Sequence, residues 1–222
     1  MIKTMIIRLI DYFIYPNPKE GKSIVNKIGH RDYIGGYWNK LGLLQFQFLL
    51  KMGLKPSHCL FDIGCGSLRG GVHFIKYLNK GKYIGIDKEE YLIKKGIEKE
   101  LNHNTLKLKE PNFIINEKFD FRSSSQTPDF SIAQSLFTHL NINDISICLD
   151  NLRKIVDRDH LFFVTFKEGS YLLNRSKSNS FSVFYYSFKK LRDLALKLGW
   201  RAEYIGEWGH PRNQKMIKFT AI

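Results

Sequence analysis

Apolar positions fall in two kinds of run that alternate along the chain. Short, nearly continuous runs read as strands: CLFDI (59–63), KYIGID (82–87), NFIIN (112–116), DFSIAQ (129–134) and HLFFVTF (160–166). Longer amphipathic runs lie between them. GLLQFQFLLKMGL is closed by Gly53 with Pro56 beyond it, and LRGGVHFIKYLNKG stops at Gly81. EEYLIKKGIEKEL is charged on one side, INDISICLDNLRKIV starts near Asn143 or Asp144, and FKKLRDLALKLGW has Ser187 as its N-cap and Gly199 as its stop. HLFFVTF is apolar almost throughout, as expected of a strand covered on both faces. Strand–helix alternation implies parallel pairing with right-handed crossovers. RAEYIGEW and QKMIKFTAI are joined only by GHPRN, too short for a helix, so they should pair antiparallel. The pattern predicts an α/β fold: a doubly wound, mostly parallel seven-stranded sheet, Rossmann-like, with an antiparallel hairpin at its C-terminal edge.

The first 16 residues, MIKTMIIRLIDYFIYP, carry a thin polar stripe of Thr4, Arg8 and Asp11 within an apolar run. The run is too short and too charged for a membrane span, and it lacks a small-residue cleavage site. It reads as a helix packed on the domain or a partner, or as an interfacial helix lying on a membrane. We therefore divide the chain into an N-terminal helix and linker, 1–32, and a main domain, 33–222.

Composition narrows the class. A hydrophobic fraction of 43% over 222 residues is enough for one sizeable core. Cys59, Cys65 and Cys148 form neither a disulfide framework nor a zinc pattern, and no metal site is expected, which fits a reducing cytoplasm. The net charge of +14 favours an anionic partner: nucleic acid, anionic lipid, or an acidic or phosphorylated substrate.

Chemistry concentrates in FDIGCGSLRGG, 61–71. Gly64 and Gly66 permit unusual backbone angles and close ligand approach, and Asp87 ends the next strand 21 residues after Gly66, where it can accept from two ribose hydroxyls. Both features suit NAD and S-adenosylmethionine. A pyrophosphate, however, needs a third glycine at the position held by Arg69. Asp62 offers a carboxylate for an ammonium group, which NAD lacks at that place. Together they favour S-adenosylmethionine.

The run FDIGCG resembles the first motif of class I S-adenosylmethionine-dependent methyltransferases, and YIGID resembles their second. The resemblance extends from about Tyr33 to the C-terminus. It is closest to a bacterial subgroup associated with surface-polysaccharide genes, whose motifs match GCGSLRGG (64–71), AQSLFTHL (133–140) and WGHPRNQKM (208–216). Leu68 departs from the general pattern, which has glycine there. The resemblance implies S-adenosyl-L-methionine as cofactor. Asp62, Gly64, Cys65, Gly66 and Ser67 would cradle the methionine portion, and Asp87 with Lys88 would hold the ribose. Asp120 and Phe121 would hold the adenine, and Gln134 and Ser135 would line the methyl-transfer side. Tyr33, Gly35, Gly36 and Trp38 would form a lid on the acceptor.

Acceptor hydroxyls usually need a base, and His139 and His210 are placed for one. His139 more often braces its loop in such enzymes. Arg212 could grip a carboxylate or phosphate, and Trp208 a sugar face, although core packing is the commoner use of tryptophan. These features imply methyl transfer to an O or N atom of a small, anionic or glycan-like acceptor of the cell envelope. The protein would then be cytoplasmic, with peripheral contact at the inner face of the membrane through its N-terminal helix. A nucleic-acid methyltransferase suits the charge but lacks N/D-P-P-Y/F, whose place AQSLFTHL occupies. A cofactor-binding subunit without turnover is the alternative from another class.

Overall fold

The computed structural model describes residues 21–172 and 174–222, so the expected helix over 1–16 lies outside the described residues. Two short helices, α1 (Lys22–Ile28) and α2 (His30–Tyr33), lead to α3 (Trp38–Lys51). The alternating core follows: β1 (Leu60–Ile63), α4 (Gly71–Tyr77), β2 (Tyr83–Asp87), α5 (Glu90–Glu100), α6 (His103–Lys109), β3 (Asn112–Ile115), β4 (Phe130–Ala133), α7 (Ile142–Arg153) and β5 (Leu161–Glu168). The chain ends with a two-residue strand, β6 (Tyr185–Tyr186), then α8 (Phe188–Lys197), β7 (Trp200–Gly206) and β8 (Lys215–Ala221).

Seven strands are ordered β3-β2-β1-β4-β5-β8-β7, and β6 pairs with β5 off that path. Pairing is parallel from β3 to β5 and antiparallel for β8 with both β5 and β7, as the short GHPRN link requires. Side chains alternate across the sheet. From β1, Phe61 and Ile63 enter one layer with Leu149 and Leu152 of α7 and Leu191 of α8. Leu60 enters the other, with Phe48 and Leu49 of α3, Phe74 of α4 and Ile93 of α5. The order of strands reverses between β1 and β4, and their carboxyl ends open a crevice there.

Asn143 and Asp144 stand near the start of α7 as expected, and Asn141 caps it: its Oδ1 accepts from the main chain of both. Two local expectations change. Helix α6 has no counterpart in the sequence reading; Asn102 starts it by accepting from Thr105 N at 2.7 Å. Helix α4 ends early, at Tyr77, because Leu78 turns extended before Gly81.

Candidate active site

The glycine loop is laced to β2. The Gly64 and Cys65 amides donate to Ile86 O at 2.7 and 3.1 Å, and Gly66 N–H donates to Asp87 Oδ2 at 2.8 Å. Asp87 Oδ1 accepts from Glu89 N at 2.9 Å. Gly64 and Gly66 take positive φ, +76° and +53°, which glycine adopts without strain. Leu68 takes φ 71° as well and is fully buried, keeping left-handed backbone where the resembled motif has glycine. Two helices press on this loop. A Cβ on Gly42 of α3 would stand 2.4 Å from Arg69 O, and one on Gly96 of α5 would stand 2.6 Å from Ser67 O.

Above the crevice lies a cavity of about 620 Å³, within the usual size of small-molecule sites. Asp62, Gly64, Cys65, Gly66, Asp87 and Lys88 line its β1–β2 side. Gln134, Ser135, His139, Lys167, Arg212 and Gln214 line its β4–β5 side. Asp62 is 4% exposed and accepts from Tyr83 OH at 2.8 Å. Burial pushes its carboxyl up to about 7; the Tyr83 hydrogen bond opposes the rise, Asp87 adds to it, and Arg69 lowers it. Asp87 is raised by burial too, against its backbone hydrogen bonds. The Cys65 thiol is pushed well up by burial and by Asp87 and Asp62, which leaves it inert as a nucleophile.

A roof closes over this floor. Arg31 of α2 makes a two-pronged pair with Glu100 of α5, Nε and Nη2 each at 2.7 Å. Tyr33 OH accepts from Gly21 N and donates to Glu89, and the Tyr33 ring meets Phe181 edge-on at 5.4 Å. Arg69, 6% exposed, ties roof to floor: Nη1 donates to Ile34 O and Gly36 O, and Nη2 to Gln134 Oε1 at 2.6 Å.

Beyond β4 the main chain turns sharply. Ser135 has φ 60°, its N–H donates to Thr165 Oγ1 at 2.7 Å, and its hydroxyl is bonded to the Gln214 amide. His139 Nδ1 stands 2.8 Å from Ser182 O, so the proton sits on Nδ1 and the lone pair on Nε2.

Seven expected contacts are not brought to the cavity wall, Gly36 among them. Ser67 is buried and its hydroxyl donates to His30 O at 3.4 Å. Trp38 stacks under Arg31, 4.8 Å from the guanidinium, outside the cavity. Asp120 forms a surface ion pair with Arg122, and Phe121 fills the core against Phe61. Phe119 lines the cavity instead, because Asn116 Oδ1 accepts from Lys118 N and Asp120 N and folds the loop into a turn with Phe119 at φ 55°. Trp208 packs on Phe48 and donates to Gln214 O at 3.0 Å. His210 is buried behind the wall: Nδ1 accepts from Arg212 N at 3.1 Å, and Nε2 stands 3.1 Å from Gln134 Nε2. Burial, then Arg69, Lys167 and Arg212, hold His210 down at about 4, so it stays neutral behind the wall and is not placed to take a proton from an acceptor. Sequence reasoning missed Phe119, Lys167, Gln214 and the tie made by the Arg69 side chain. For Phe119 the signal was Asn116 closing β3; for Gln214 it was its place in WGHPRNQKM.

The cavity has the features a nucleoside with an ammonium-bearing tail requires. It pairs a buried carboxylate at Asp62 with a second at Asp87. Between them lies a cradle that side chains would fill, since a Cβ on Gly64 would stand 3.2 Å from Leu136 and one on Gly66 3.2 Å from Ile34. No family model matches the sequence. Solved structures do resemble it. Magnesium protoporphyrin IX methyltransferase from Synechocystis PCC 6803, with bound S-adenosylmethionine, is 13% identical at a TM-score of 0.61, covering 98% of this chain and 96% of that one. PH0226 protein from Pyrococcus horikoshii OT3 is 16% identical at 0.65, covering 91% and 100%. A TehB-like S-adenosylmethionine-dependent methyltransferase from Corynebacterium glutamicum ATCC 13032 is 15% identical at 0.61, covering 90% and 97%. The chain has the fold of the class I S-adenosylmethionine-dependent methyltransferases.

Proposed function

We propose that the protein is an S-adenosylmethionine-dependent methyltransferase acting on an O or N atom of a small or glycan-like acceptor of the cell envelope. One observation carries the methyltransferase reading: the Asp62–Gly66–Asp87 floor and the Gln134–Ser135–His139 wall line a single cavity. Bound S-adenosylmethionine supplies a sulfonium-activated methyl group, which leaves alignment and exclusion of water to the protein. Asp62 receives the ammonium, Gly64, Cys65 and Gly66 admit the methionine portion, Asp87 and Lys88 face the ribose, and Phe119 covers the adenine. Gln134 and Ser135 define the methyl-transfer side, held by Arg69 and Gln214. Tyr33 and Phe181 roof the site. For a hydroxyl acceptor, His139 would be the residue to accept the hydroxyl proton.

The envelope acceptor is supported by the motifs at 64–71, 133–140 and 208–216 and by the +14 charge. The same charge supports placement at the cytoplasmic face of the membrane. No helix among the described residues is long and apolar enough to cross a membrane.

Binding comes first in testing this. S-adenosylhomocysteine should bind where NAD does not, and Asp87→Ala should abolish that binding; unchanged affinity would refute the ribose contact. Methyl-labelled S-adenosylmethionine with lysate lacking the gene should then label glycolipid, polysaccharide or sugar-nucleotide fractions. Label in RNA would overturn the envelope reading and make the basic surface a phosphate-binding one.

A further inference from the structure

Three cations converge on the β4–β5 side of the cavity, graded from interior to mouth: Arg69 is buried, Lys167 half-buried and Arg212 exposed. Among the described residues none of them has a carboxylate within salt-bridge distance. The ion pairs among the described residues lie elsewhere, on α2, α5, α7, α8 and the β7–β8 hairpin among other places. What they do touch is neutral. Arg69 donates to Ile34 O, Gly36 O and Gln134 Oε1, and its Nε is buried without a partner. Lys167 Nζ donates to Arg212 O. Arg212 Nη2 donates to Gly35 O at 2.7 Å and its guanidinium lies 5.3 Å from the Tyr37 ring centroid. Gly35, at φ +91°, leaves room for this, since a Cβ there would stand 2.8 Å from Arg212 Nη1.

Like charges gathered without an ion-pair partner repel, and the effect shows at Arg69 and Lys167. Burial and Arg212 lower Arg69 to about 10, and burial, Arg212 and Lys215 lower Lys167. Roof contacts to Ile34, Gly35 and Gly36 keep two of these side chains at the wall instead of letting them spread into solvent. An oxyanion at this place would receive charge-assisted hydrogen bonds from groups already oriented.

We infer that the acceptor carries an oxyanion, a carboxylate or a phosphate, that sits between Lys167 and Arg212. The inference rests on the methyltransferase reading for the word acceptor, and on geometry for the anion. Lys167 lies at the carboxyl end of β5, one residue before its last, and Arg212 lies between β7 and β8, whereas the nucleoside side of the cavity is built on β1 and β2. Neighbouring strands are about 5 Å apart, so β5 stands about 10 Å from β1 across β4. The cations therefore face the group that receives the methyl. An acidic or phosphorylated sugar matches this arrangement; a neutral sugar leaves the cations unpaired.

The test titrates the full chain, free and with S-adenosylhomocysteine, with D-glucuronate, α-D-glucose 1-phosphate and D-glucose at low ionic strength, following backbone amide shifts by NMR. Glucuronate, glucose 1-phosphate or both should bind and glucose should not. Which one binds names the carboxylate or the phosphate. Lys167→Met and Arg212→Gln should each weaken anion binding about tenfold or more while S-adenosylhomocysteine affinity stays within about twofold. Equal response to all three sugars, no response to any, or anion binding unchanged in both variants would overturn the inference. So would an equal loss of S-adenosylhomocysteine affinity in the variants, since the cations would then hold the cofactor's own carboxylate. A wild-type chain that binds anions but not S-adenosylhomocysteine would refute the methyltransferase reading alone.

Discussion

Asp62 makes cofactor affinity depend on pH in the neutral range, where an exposed carboxylate, already ionised, would leave it flat. The carboxyl sits at the end of β1 under the glycine loop, 4% exposed, with Tyr83 OH donating to it at 2.8 Å. Burial outweighs that hydrogen bond and the pull of Arg69, and the carboxyl titrates at about 7. A group raised above its unfolded value favours folding most below about pH 4, and the contribution is lost as pH rises through about 7. Binding of an ammonium reverses the preference, because it stabilises the carboxylate.

Only the ionised fraction of Asp62 is ready for the ligand: about one tenth at about pH 6 and about nine tenths at about pH 8. S-adenosylhomocysteine affinity should therefore rise about tenfold over that interval, or about 1.4 kcal/mol. Calorimetric titration at several pH values measures it. Asp87, Cys65, Tyr83 and Arg69 surround the same carboxyl, and Asp87 is itself raised by burial. Methylthioadenosine separates the two carboxylates, since it keeps the ribose and lacks the ammonium. Its affinity should be flat if Asp62 is responsible. Asp62→Asn should flatten the S-adenosylhomocysteine profile and weaken binding about 10- to 100-fold at the alkaline end, the worth of a charge-assisted hydrogen bond. A flat wild-type profile, or an equal rise with methylthioadenosine, would refute the assignment of Asp62 to the ammonium.

Two further predictions concern the loop's support. Gly42→Ala places a Cβ 2.4 Å from Arg69 O, a backbone atom held by the loop, so α3 must move. We expect a loss of about 1–3 kcal/mol by denaturant unfolding with weakened S-adenosylhomocysteine binding, and wild-type behaviour would show that the helix is not seated as described. Leu68→Gly relieves about 1–2 kcal/mol of left-handed strain but removes a fully buried side chain worth about 2–5 kcal/mol. The variant should be less stable by up to about 4 kcal/mol; a more stable variant would mean that strain, not packing, dominates at this position.

The sheet was legible because its central strands are buried on both faces and so carry unmixed apolar runs, as in HLFFVTF. The floor of the site was legible because its glycines and carboxylates act through main-chain geometry, which fixed spacing encodes. The walls were less so. KFDF presents two phenylalanines and one aspartate in consecutive positions after β3, and what selects Phe119 for the cavity is a turn closed by Asn116. In WGHPRNQ the spacing says nothing about direction. The chain reverses there, so Trp208 and His210 turn toward the Phe48 and Gln134 sides while Arg212 reaches the mouth. Lys167 lay in plain view after a predicted strand, but its company with Arg212 depends on β8 pairing with β5.

Asp62 and Asp87, rather than Arg69 alone, explain why this loop serves a cofactor without a pyrophosphate. In a dinucleotide site the third glycine lets the helix settle on the strand beneath the diphosphate. Here the close packing falls to a later glycine: a Cβ on Gly71 would stand 2.5 Å from Tyr83 OH, the hydroxyl that holds Asp62. The space under the helix is thus filled by a phenol and a carboxyl, and a second anion brought there would face Asp62 and Asp87 together. Arg69 does not relieve this, because its guanidinium is turned to Ile34, Gly36 and Gln134, away from Asp87. Replacing Arg69 with glycine would leave the two carboxylates in place and would not make a NAD site. It would instead free the roof, so S-adenosylhomocysteine affinity should fall while NAD still fails to bind; gain of NAD binding in Arg69→Gly would show that the side chain alone sets the choice of nucleotide.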